Sequence, residues 1–220
     1  MKHIYHHLGM GDHITCSGIV RHYAAMEEVN LFVKYQNLRN VERLYRDASN
    51  ITLIPVTNDA GVKLYTDIHP SLSFIRITNN VLGPIDKIFY ESVGLSISFK
   101  WAKFYLERDM QREKEVYYDV YGLKDGEEYS FVHMSDKAPS LPHRVIVPDD
   151  WSVGLFDFIY LLEHAKSIHL ENSSFFCLVD TMQIEGPELY IDYSIRSPEQ
   201  GFTTSPKLKW NVLGKDTWVL

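Results

Sequence analysis

A carboxylate set among glycines and imidazoles stands near the start of the chain. In His6-His7-Leu8-Gly9-Met10-Gly11-Asp12-His13 an acid occupies a turn where a phosphate-binding loop keeps only neutral backbone. The segment follows a short apolar run, His3-Ile4-Tyr5, and leads into the apolar positions Ile14, Ile19, Val20, Tyr23 and Ala24. Strand, glycine turn and helix is the pattern, and it delivers polar atoms to the carboxyl edge of a parallel sheet. On such a turn Asp12 can accept a proton from a hydroxyl as that oxygen attacks. The partial positive charge of a helix start favours its ionised form. Asp is also a favoured helix cap, so an ordinary capping role competes with the chemical one.

Two other uses of this turn fit less well. As a dinucleotide fingerprint, Gly9 and Gly11 match, but Ile14 replaces the third glycine and Asp12 would face the pyrophosphate. The second strand then ends in Lys34-Tyr35, with no acid to hold a ribose. As a metal site, His3, His6, His7 and His13 are numerous enough. However, adjacent His6 and His7 point to opposite faces of a strand, and no HxH or HExxH spacing is present. No metal and no cofactor is expected; the histidines read as substrate hydrogen-bonding and packing groups.

The second half of the chain offers a better place for phosphates. Ser167-Ile168-His169-Leu170 reads as a strand, Glu171-Asn172 as the turn, and Ser173-Ser174 as the start of a helix. Hydroxyls and free amides at a helix N-terminus form an anion site, and Glu171 at the strand end suits a ribose diol. A plain Asn172 or Ser173 helix cap accounts for the same residues. Upstream, Phe131-Val132-His133-Met134-Ser135-Asp136-Lys137 reads as a buried strand ending in a polar loop. Lys137, or less directly Arg144, could stabilise a leaving diphosphate, although a solvated loop lysine is the commoner case.

Alternating elements must position these groups. Strands are expected at 4–6, 29–34, 51–56 and 73–77, with helices at 14–27, 40–48 and 58–68. A less regular stretch follows. It includes a helical segment at 99–106 and a mixed-charge, solvated helix at 107–115. The polar turn 124–128 marks the expected domain boundary. Alternation then resumes, with strands at 129–134, 144–147, 167–170 and 189–193 and helices at 155–166 and 173–182. The tail 206–220 is mixed, with Trp210, Val212, Leu213 and Trp218 expected to pack back on the domain. The fold class is therefore α/β: two Rossmann-like βαβ halves, 1–125 and 126–220, facing a cleft.

Composition excludes several function classes. A net charge of -7 gives no global field for nucleic acid or an anionic membrane, so at most a peripheral membrane contact is expected. The two cysteines, Cys16 and Cys177, imply no disulfide framework. No signal peptide and no spanning run is visible, so the expected location is cytoplasmic.

Together the quoted segments resemble the two-domain (GT-B) glycosyltransferases in a compact form. The stretch from His6 to Ile14 is similar to the N-terminal motif of bacterial heptosyltransferases (ADP-heptose:LPS type), where a Gly-Asp at the first strand-to-helix turn supplies the catalytic carboxylate. The segment 156–182 resembles the donor-binding half of that fold. The resemblance implies Asp12 as base, with His13 beside it. It implies a substrate- and donor-binding set of Gly9, Gly11, His133, Lys137, Arg144, Glu171, Ser173 and Ser174. The implied reaction is metal-independent displacement at an anomeric carbon, with inversion. It moves a sugar from a nucleoside-diphosphate donor to an acceptor hydroxyl of a saccharide or glycolipid. A sugar-nucleotide epimerase on the same fold, using His13 and His133, is the first alternative. A non-catalytic nucleotide- or sugar-binding protein is the second.

Overall fold

The computed structural model describes residues 1–77, 83–135, 141–150, 152–193 and 201–213. The chain divides into two units, Met1–Glu107 and Arg108–Leu220, each built on its own all-parallel sheet.

The first sheet is organised by its most apolar strand, β2 (Val29–Lys34), in which Leu31, Phe32 and Val33 are all fully buried. Burial of consecutive residues requires cover on both faces, as parallel sheets have. β1 (Lys2–Tyr5), β3 (Ile51–Val56) and β4 (Phe74–Arg76) complete the order β3-β2-β1-β4. Helices α1 (Met10–Thr15), α2 (Ser17–Ala24), α3 (Leu38–Leu44) and α4 (Asp59–Ile68) lie between the strands in sequence. α5 (Ile85–Ser92) and the single turn α6 (Phe99–Ala102) follow. Each fully buried Leu, Ile or Phe of this core contributes about 1.5–3 kcal/mol. The order reverses between β1 and β4, which makes the carboxyl ends of those strands a topological switch point.

α2 crosses α6 so closely that only glycine fits at position 18. A Cβ there would lie 2.6 Å from the Tyr90 hydroxyl and 2.9 Å from the Phe99 carbonyl carbon. Backbone cannot retreat cheaply, so Gly18→Ala is expected to destabilise this unit by about 1–3 kcal/mol. Urea unfolding with an unchanged slope and an earlier midpoint is the check.

The second sheet runs β6-β5-β7-β8-β9, with β5 (Tyr129–His133), β6 (Arg144–Ile146), β7 (Ser167–Glu171), β8 (Glu188–Asp192) and β9 (Trp210–Leu213). Its order reverses between β5 and β7. α7 (Met110–Glu115) runs on through a π-helical turn, Val116–Val120. α8 (Ile159–His164) follows a 3-10 turn, Leu155–Phe158, and α9 (Ser174–Met182) follows β7.

Several expectations are corrected here. The helix expected at 14–27 is two helices, and it starts earlier, at Met10. Gly9, extended at φ −71° and ψ 151°, serves as the N-cap, and its N–H donates to Asp12 Oδ2 at 3.2 Å. Residues 103–106 leave the helix because Arg21 takes the Tyr105 carbonyl at 2.8 Å. The mixed-charge run is not wholly solvated, since Glu113 is fully buried and paired with Arg108, which also binds Glu163 at 2.6 Å. The turn at 124–128 lies inside the second unit, which begins some way before it. Finally, part of the tail is a strand. Trp210 opens β9, packs on Phe176 at 4.9 Å and donates its indole N–H to buried Asp180 at 3.3 Å. Val212 does not pack back; it is exposed. Trp218 lies outside the described residues. Among the described residues no helix is long and apolar enough to cross a membrane.

Candidate functional site

Both polar clusters singled out in the sequence stand at switch points, one in each unit. In the first, the chain leaves β1 and turns through Leu8 and Gly9 into α1. Leu8 is held at φ +60°, a left-handed conformation that costs a branched residue roughly 1–2 kcal/mol. Its surroundings over-determine it. The side chain is fully buried against Phe32, Val56 and Val62. Its N–H donates to His6 Nδ1 at 3.2 Å, and its carbonyl accepts from Asn37 Nδ2 at 2.9 Å.

Asp12 occupies the third helical position, not the cap itself, and is half-buried. A Cβ at Gly9 would come within 2.6 Å of Asp12 Oδ2, so any larger residue at the cap displaces the carboxylate from its present place. Gly11 lies in the first turn of α1, half-buried. His13 is not beside Asp12 on an open face. It is fully buried, its ring edge-on to buried His6 with centroids 4.3 Å apart. Burial pushes His6 down to about 3, helped by neighbouring His7, and holds His13 well below the usual imidazole range. Both rings are therefore neutral near pH 7. Neither ring nitrogen of His13 has a hydrogen-bond partner among the described residues. At the same strand ends Tyr5 donates to Asp59 Oδ1 at 2.7 Å, and desolvation followed by that acid pushes the phenol up to about 12.

The second cluster spans the carboxyl ends of β5 and β7. His133 and Glu171 are the last residues of those strands. Ser173 is the extended N-cap of α9, yet its hydroxyl does not cap the helix; it meets His133 Nδ1 at 3.2 Å. The first amides of α9 are thus left to other acceptors. One oxygen of Glu171 accepts the Ser135 N–H at 2.7 Å, across the switch point. Burial lowers the His133 pKa, partly offset by the charge of Glu171. Ser174 opens the helix, half-buried. Asn172 is buried, and neither of its amide atoms has a partner among the described residues. An amide left this way costs about 1–3 kcal/mol unless something fills it.

Two expected members of the set differ. Arg144 pairs in register with Tyr129, at the opposite end of the sheet from His133, four residues or roughly 13 Å along the strand. There it binds Glu127 at 3.1 Å and the Tyr121 carbonyl at 2.5 Å. It braces a turn and is removed from the donor set. Lys137 lies outside the described residues. Asn37, Ser135 and the left-handed Leu8 were missed. Nothing local marks a contact between residues 29 apart, and Leu is not a residue type that signals a positive φ.

No protein-family model and no curated relative matches the sequence. The fold is similar to a crystal structure described as the glycosyl transferase family 9 from Veillonella parvula DSM 2008. The TM-score is 0.62 at 12% identity, covering 96% of this chain and 86% of that one. At that identity the likeness carries the fold: mixed α/β with two parallel sheets, of the GT-B glycosyltransferase type.

Proposed function

We propose that this chain is a glycosyltransferase that moves a sugar from a nucleoside-diphosphate donor to an acceptor hydroxyl, with Asp12 as general base. The observation that carries the reading is that each unit has its polar cluster at its own sheet's switch point, where open α/β sheets bind ligands. The first cluster ends in a carboxylate; the second ends in a helix terminus that the Ser173 hydroxyl does not cap. A base in one unit and an anion site in the other is the division of labour that transfer chemistry needs.

In the donor unit the amides and hydroxyls at Ser173 and Ser174 take the diphosphate. The second oxygen of Glu171 takes a ribose hydroxyl while the first stays on Ser135. His133 fixes the Ser173 hydroxyl, and Lys137 supplies the cation that a metal would otherwise provide. In the acceptor unit Gly9 and Gly11 let the backbone approach closely, and Asp12 removes the acceptor proton as its oxygen attacks the anomeric carbon, giving inversion. The acceptor is a saccharide or glycolipid. Neutral, buried His13 supports the loop and does not move the proton.

UDP, GDP, ADP and CMP tested by thermal shift read the donor half directly. At a hundredfold excess over Kd one of them is expected to stabilise the protein by about 2.7 kcal/mol. Glu171→Gln is expected to weaken that ligand about tenfold or more, the scale of a hydrogen bond to a charged group. If none of the four raises the melting temperature, the donor site is wrongly assigned.

A further inference from the structure

We propose that Asn37 is a positioning residue for Asp12, acting through the single peptide group that joins Leu8 to Gly9. This rests on the transferase reading above for its chemistry, though not for its geometry. The Leu8 carbonyl and the Gly9 N–H are the two ends of one planar unit. Asn37 Nδ2 donates to the carbonyl end at 2.9 Å, and the N–H end donates to Asp12 Oδ2 at 3.2 Å. The three groups form a chain in which the tilt of that plane sets where the carboxylate is held, and each bond polarises the next.

Three further observations support this use of Asn37. It immediately precedes α3, where an Asn side chain ordinarily caps the helix, yet it makes no capping hydrogen bond there. The plane it holds belongs to a left-handed leucine, which relaxes unless fixed from several sides. The remaining side is His6. Its Nδ1 accepts the Leu8 N–H, so the neutral ring carries its proton on Nε2 and remains an acceptor toward the loop. The fit is close enough that even a methyl group at Gly9 would strike Asp12 Oδ2.

The test is Asn37→Asp, which keeps shape and helix-capping ability but presents an acceptor to the Leu8 carbonyl; Asn37→Ala serves as the second variant. Hydrogen exchange by mass spectrometry is followed on peptides covering 6–13, with kcat and donor affinity measured on the same samples. Expected are at least tenfold faster exchange in 6–13, unchanged exchange in the second unit, at least tenfold lower kcat and donor affinity within twofold. Unchanged exchange in 6–13 overturns the proposal whatever the activity. Faster exchange with undiminished kcat also overturns it, because the plane then moves without consequence for Asp12. Failure of the transferase reading shows separately, as transfer that survives Asp12→Asn, and the exchange result still scores the peptide-plane geometry.

Discussion

Asp12→Asn is expected to lower sugar transfer by roughly 10²–10⁴-fold, the usual contribution of a general base, with little change in melting temperature. The two halves of that expectation come from different atoms. An asparagine at the third position of α1 still offers an amide oxygen to the Gly9 N–H, so the start of the helix is retained. What it loses is the ability to take a proton. Donor affinity should also be unchanged, since the proposed donor site lies in the other unit. Transfer within about twofold of the parent protein would remove Asp12 from the mechanism.

The chain contains its own control for this experiment. Gly154-Leu155-Phe156-Asp157 repeats the capping geometry of Gly9-Met10-Gly11-Asp12, though it opens a 3-10 turn and not an α-helix. Gly154 has φ −72° and ψ 151°, and its N–H donates to Asp157 Oδ2 at 3.1 Å. Asp157, however, is buried, with Arg112 Nε 3.7 Å away, and it follows the edge strand β6 and not a switch point. Asp157→Asn should therefore leave transfer unchanged and cost at most about 1 kcal/mol, the scale of a loose ion pair whose arginine is partly exposed. Equal losses of activity in the two variants would mean that helix capping, not proton transfer, is being measured.

That repeat also explains how far sequence reasoning reaches. The strand Val29–Lys34 is legible because a covered parallel strand carries a run of apolar residues such as Leu31-Phe32-Val33. The turn after β7 is legible because Glu171, Asn172, Ser173 and Ser174 are the residue types that end strands and open helices. Asp12 is legible as an acid in an unusual place, but a glycine capping box is a local device and occurs twice, so only topology separates its two uses. Strand β9 was hidden because four residues with one exposed valine carry no periodic signal. Its pairing is decided by β8 and by the Trp210–Asp180 bond across 30 residues. Arg144 is a different kind of miss. The first residue of a parallel strand lies at the edge away from the carboxyl ends, and Arg144 is the first residue of β6.

Lys100→Met is expected to destabilise the first unit by about 3–5 kcal/mol, the cost of removing one member of a buried ion pair. Lys100 Nζ meets Asp86 Oδ2 at 2.9 Å, and both side chains are completely buried. The pair joins α5 to α6, the same turn whose Phe99 carbonyl crowds Gly18. Asp86 Oδ1 also accepts the Lys87 N–H at 2.9 Å, a bond that satisfies one oxygen without neutralising the buried charge. For a unit of this size the melting temperature should fall by at least about 10 °C. The sign of the double variant is the more telling result. Lys100→Met with Asp86→Leu removes both charges and their desolvation cost together, so it should recover most of the loss, read as strong coupling in a double-mutant cycle. Additive losses would instead mean that shape, not charge, holds α6 in place. Transfer activity in the recovered double variant should match the parent, since the pair supports the unit's packing and lies in neither polar cluster.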